Sequence, residues 1–125
     1  MSAKPLVQRQ AAQRDIAEAI AHYRSEAGDR VALGLIDALE GTFGQISQNP
    51  QLGSNRYGYA LQIEGLKSWP LKRFPYLAFY MEHPAQIEIW RVLHGQSDIP
   101  AWLAEPDQRP TDPPTPPPPA SSGQA

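Results

Sequence analysis

Two apolar runs separated by a tight break constrain this chain more than any other feature. The first, Tyr76-Leu77-Ala78-Phe79-Tyr80-Met81, is aromatic and aliphatic, with Pro75 before it and His83-Pro84 after it. The second runs from Ile87 to Leu93 and alternates: Ile87, Ile89, Arg91 and Leu93 take one face, Glu88, Trp90 and Val92 the other. β-Branched and aromatic residues at period two specify strands. The link His83-Pro84-Ala85-Gln86 is too short for a parallel crossover, so the two runs form an antiparallel hairpin. Leu66 to Leu71 reads as a third, weaker strand, whose Pro70 has no amide to donate and belongs at a strand end or an unpaired edge. A short helix follows, capped by Ser97 or Asp98, with Pro100 in its first turn and Ile99, Trp102 and Leu103 facing the sheet.

The residues before Gly65 read as a cover for that sheet. Pro5 to Arg9 is short and partly alternating, and becomes a plausible first strand once three others are in place. From Ala11 to Ala27, the residues Ala12, Ile16, Ala19, Ile20, Tyr23 and Ala27 fall at helical spacing in one stripe. Gly28 suits a helix exit and Asp29 the N-cap of a second helix, Arg30 to Ser47, so the two form a hairpin. That second helix carries Ala32, Leu35, Ile36, Leu39, Phe43 and Ile46 on one side. Its Gly34, Gly41 and Gly44 each cost about 1 kcal/mol relative to alanine, which close approach to the small residues of the first helix would explain. Asn49-Pro50 ends it. Gln51 to Tyr59 reads as a connecting loop, and Gln62-Ile63-Glu64 as a possible extension of the next strand. The fold class is α+β, in the order β-α-α-β-β-β-α, with an N-terminal helical hairpin packed on a small, mostly antiparallel sheet.

Composition narrows the function. Residues 1–104 make one domain, and 105–125 hold most of the fourteen prolines and are expected to be a disordered tail of polyproline II character. The chain has no cysteine, which excludes disulfides, thiolate catalysis and cysteine-based metal sites. MSAKPLVQRQ lacks the apolar core of a signal peptide and no run is long enough to span a bilayer, so a cytoplasmic protein with no membrane partner is expected. There is no glycine-rich phosphate loop, HExxH or GxSxG, and His22, His83 and His94 lack metal-ligand spacing, so no cofactor or metal is expected. The formal net charge of −2 hides an asymmetry. Residues 11–48 set Arg14, Arg24 and Arg30 against Asp15, Glu18, Glu26, Asp29, Asp37 and Glu40. Residues 56–75 set Arg56, Lys67, Lys72 and Arg73 against Glu64 alone. Acid lies on the helices and base on the first strand of the meander and its turn, a pattern suited to an acidic partner or a phosphate.

Four strings, AAQRDIAEAIAHYRSEAG, ISQNPQLG, KRFPYLAFY and above all IEIWRVLHGQSDIPAWL, resemble the RelE/ParE superfamily of type II toxin–antitoxin toxins, over roughly residues 5–104. A strand ending in Arg91-Val92-Leu93-His94-Gly95 and leading to Asp98-Ile99 is similar to the ParE branch. Ser97 stands where relatives often carry a basic residue. The resemblance implies a toxin that binds and blocks DNA gyrase, has no catalytic residues and is held by a cognate antitoxin, with direct nucleic-acid contact not expected. It places antitoxin or target contacts at Lys67, Trp69, Lys72, Arg73, Arg91 and His94. The RelE branch implies instead a ribosome-dependent mRNA endonuclease, for which Arg91, His94, Lys67 and Lys72 are the available groups, although no tyrosine follows the last strand to serve as general acid. A non-toxic binding relative is the third reading. Arg91 has Glu82 and Glu88 as candidate intramolecular partners, and Trp69, Trp90, Tyr76 and Tyr80 read as core or antitoxin-covered aromatics.

Overall fold

The computed structural model describes residues 3–104, the side chain of Ala104 excepted; the proline-rich stretch 105–125 lies outside the described residues. Strand β1 (Leu6–Gln8) leads into helices α1 (Gln10–Ala27) and α2 (Asp29–Gln48). A 3-10 turn (Pro50–Leu52) and a short helix α3 (Arg56–Leu61) then lead to strands β2 (Leu66–Pro70), β3 (Tyr76–Glu82) and β4 (Ile87–His94), and helix α4 (Ile99–Ala104) closes the domain. The sheet order is β1-β4-β3-β2. β2–β3 and β3–β4 are antiparallel, and β1 joins β4 in parallel. Pro70 is the last residue of the edge strand β2, where a missing amide costs no ladder bond.

Each face of the sheet buries its own cluster. On β3 the side chains alternate strictly: Tyr76, Ala78 and Tyr80 meet the helical hairpin, while Leu77, Phe79 and Met81 meet α3 and α4. The hairpin contributes Ala12, Ala19, Leu35, Ala38, Leu39 and Ile46. On the other face Leu66, Phe79 and Leu93 pack with Ile99 and Leu103, and with Tyr57, Leu61 and Trp102 at the margin. Asp98 stands at the head of α4, its carboxylate accepting from the Ala101 amide at 3.4 Å.

Several expectations are corrected. On β4 the alternation does not run unbroken. Ile89 stands opposite Tyr80 and Arg91 opposite Phe79, so Trp90 is an extra residue, a β-bulge that resets the phase. Val92 therefore shares the helical-hairpin face with Ile87 and Ile89, and Leu93 turns to the other. The expected loop 51–59 overlaps the 3-10 turn and holds most of α3, and Gln62 is not strand but a left-handed residue (φ 59°) that ends α3. Finally, the glycines of α2 are not a seam against α1. A Cβ at Gly34 would lie 3.7 Å from the Phe74 ring, and at Gly41 or Gly44 it would meet nothing within 4 Å. Asp29 is also the first residue of α2, with Gly28 (φ 95°) at the cap position.

A glycine with a clear steric role is Gly53. A Cβ there would sit 2.1 Å from the hydroxyl of the fully buried Tyr80. Its φ of −64° suits alanine, so Gly53→Ala isolates the clash. We expect a loss of about 1–3 kcal/mol in urea unfolding. Gly44→Ala, into open space on a helix, should gain up to about 1 kcal/mol in the same assay.

Candidate binding site at the basic end of the sheet

The β2–β3 turn is pinned by its apolar residues and displays its charged ones. Leu71 is buried in the hairpin-side core and Phe74 packs against it, with the Tyr23 ring edge-on to Phe74 at 5.3 Å. The Leu71 amide donates to the Tyr76 carbonyl (3.0 Å) and the Tyr76 amide to the Phe74 carbonyl (2.8 Å). Closing so tight a turn forces Arg73 to φ 68°, a left-handed conformation that costs a non-glycine residue about 1 kcal/mol or more. Lys72 and Arg73 are left exposed.

β4 ends beside this turn. His94 stands opposite Tyr76, with the rings edge-on at 5.2 Å, and the Gly95 amide donates to the Pro75 carbonyl at 2.8 Å. The Gln96 amide donates to His94 Nδ1 (3.0 Å), which leaves Nε2 to carry the ring proton when the imidazole is neutral. Trp69, Lys72, Arg73 and His94 thus gather at one end of the sheet. Lys67 lies two positions before Trp69 on the same strand face. Among the described residues Lys67, Lys72 and Arg73 have no carboxylate partner, whereas Lys4, Arg9, Arg24 and Arg91 do.

Arg91 is elsewhere. Its side chain is 9 % exposed and makes a two-pronged ion pair with Asp15 of α1, Nε to Oδ2 and Nη2 to Oδ1, both at 2.8 Å. Its Nη1 donates to the Trp102 carbonyl of α4 at 3.0 Å, and Asp15 Oδ2 also accepts from the Val92 amide at 3.0 Å. The expected partners are engaged otherwise. Lys4 takes Glu82 at 2.7 Å, while Glu88 accepts from Arg9 (2.7 Å) and contacts His83 (3.0 Å). Burial, the largest influence on Glu88, raises its pKa; hydrogen bonds from Arg9, His83 and Trp90 outweigh that and hold it below the usual carboxylate value. Its share of stability is therefore present above the unfolded pKa and lost on acidification.

The four groups of the nuclease reading do not converge. Lys67 pairs across to Tyr80, on the helical-hairpin face of the edge strand. Arg91 pairs across to Phe79, two strands away, and turns into Asp15. Lys72 sits beyond the end of β2.

Beside the basic turn, α2 and β2 enclose a groove of about 250 Å³, lined by Asp37, Ala38, Gly41, Thr42 and Gln45 on one wall and by Trp69, Pro70, Lys72 and Arg73 on the other. The sequence points to the second wall only. Asp37, Gly41 and Gln45 recur every four residues along α2, a signal that reads as an ordinary solvated helix face until β2 is placed against it.

A sequence model described as "ParE toxin of type II toxin-antitoxin system, parDE" matches residues 6–99 of this chain. The chain belongs to the ParE toxin family. Ten chains of solved structures match its fold, among them one from the "Chromosomal ParDE TA system from P. aeruginosa", with a TM-score of 0.62 and 20% identity over 73% of this chain and 95% of that one. No curated protein matches. The β-α-α-β-β-β-α order is therefore consistent with the ParE fold, and in this chain the α2–β2 connection also holds the short helix α3. Among the described residues, no helix of this ParE toxin is long and apolar enough to cross a membrane.

Arg73 separates structure from recognition. Arg73→Gly removes the guanidinium but relieves the left-handed strain, so stability should hold or rise by about 0.5–1 kcal/mol. A partner that pairs with this turn should bind the variant more weakly, as titration calorimetry would measure.

Proposed function

We propose that this ParE toxin acts by binding and inhibiting DNA gyrase, and that it is neutralised by an antitoxin encoded beside it. Family membership supports the toxin role, and the single observation in this structure that favours a protein partner is the cluster of cations without an ion pair among the described residues, Lys67, Lys72 and Arg73, next to the Trp69 wall. An antitoxin segment, disordered alone, would fold onto that end and bring carboxylates to it. Arg91 contributes indirectly, by holding α4 to the sheet. The test is a supercoiling assay with purified gyrase. Toxin should block supercoiling, and an equimolar amount of the antitoxin should restore it; full supercoiling at saturating toxin removes the gyrase reading.

A further inference from the structure

We infer that the groove between α2 and β2 is a socket for one acidic side chain and its apolar neighbour on the antitoxin, an assignment that rests on the antitoxin reading above. Size comes first. About 250 Å³ is smaller than the roughly 300–1,000 Å³ typical of small-molecule sites, and suits one or two side chains of a docked segment.

Chemistry follows from the lining. Thr42 is 6 % exposed and lines the groove, yet its hydroxyl has no hydrogen-bond partner among the described residues. A buried hydroxyl without a partner is costly, and natural structures leave few of them. Lys72 and Arg73 beside it make no ion pair among the described residues, although Asp37 lines the opposite wall of the same groove. One hydroxyl donor and two cations converge on what a carboxylate accepts. Trp69 offers apolar surface to the residue next to that carboxylate. Asp37 and Gln45 line the α2 wall. The negative charge of Asp37 on the opposite wall directs an incoming carboxylate toward the Lys72–Arg73 side.

Gly41 gives the room. A Cβ there would touch nothing within 4 Å, so the α2 wall is hollow at the point where a partner side chain would enter. A larger residue fills the socket without disturbing the toxin.

The experiment uses the full chain and the antitoxin protein encoded by the adjacent gene. Gly41→Met occludes the socket, and Thr42→Val removes the hydroxyl at constant shape; circular dichroism and thermal unfolding check that both fold. Each should bind the antitoxin about tenfold more weakly than the unmodified chain. Affinities of both folded variants within twofold of the unmodified chain overturn the socket and leave the antitoxin reading standing. No binding by the unmodified chain overturns both. Variants that lose gyrase inhibition but keep antitoxin affinity overturn the assignment by placing the target in the groove. Competition with the antitoxin by a single-stranded RNA oligonucleotide, lost in the variants, overturns it in favour of nucleic acid.

Discussion

Arg91→Met should lower the unfolding free energy by about 3–5 kcal/mol, because it leaves the Asp15 carboxylate buried without its counter-charge. The two side chains are 9 % and 10 % exposed, so water cannot take over. For a domain whose total stability is typically about 5–15 kcal/mol, such a loss leaves a substantial unfolded fraction under mild denaturant. The effect should extend to α4, because the same guanidinium donates to the Trp102 carbonyl and lies 5.2 Å from the Trp102 ring. Amide exchange in α4 should rise more than in α2. The double variant Asp15→Leu, Arg91→Met removes both charges and replaces them with apolar groups, so it should recover most of the loss. A single variant within 1 kcal/mol of the unmodified chain would mean that the pair is not desolvated. Shared loss of stability also bears on the proposed function: loss of activity in an Arg91 variant has to be read against the unfolding of α4 before it is assigned to a lost contact.

This ion pair marks where sequence reasoning stops. Strand, helix and hairpin assignments were legible because each rests on local periodicity: the aromatic run of β3, the apolar stripes of α1 and α2, and the four-residue link at His83. The family strings carried the topology. The Arg91–Asp15 pair joins residues 76 apart, and nothing in either neighbourhood singles out Asp15 from five other acids on the two helices. The bulge at Trp90 was hidden for a related reason. Residues Trp90 to Leu93 hold apolar side chains on both faces, so a slip of one position leaves the pattern looking intact. Helix α3 is six residues long, too short for a helical stripe, and its glycine reads as loop. In the candidate site the basic turn was visible as charge, but the α2 wall was not, because a groove belongs to two elements and neither sequence contains it.

Tyr80 should make the fold sensitive to alkali. Its ring is fully buried in the helical-hairpin face of the core, and its hydroxyl donates to the Pro50 carbonyl at 2.8 Å. Burial, the dominant influence, opposes the phenolate; the Gly53 amide favours it and the Glu82 charge opposes it, and the pKa is pushed up to about 12. A folded-state pKa above the unfolded value near 10 means that the stabilising contribution is complete below pH 10. It is lost as the pH climbs through 12, where the folded chain must also give up the proton. The span corresponds to about 3 kcal/mol. Urea unfolding at pH 8 and pH 11.5 should therefore give midpoints that fall with pH. Tyr80→Phe isolates the contribution of the hydroxyl. At pH 8 it should cost about 1–2 kcal/mol, because the Pro50 carbonyl loses its donor. At pH 11.5 the difference between Tyr80→Phe and the unmodified chain should shrink or reverse, because phenylalanine has no proton to lose. An equal difference at both pH values would show that the hydroxyl is hydrated in solution, and with it that the Pro50–Gly53 turn does not close over the core.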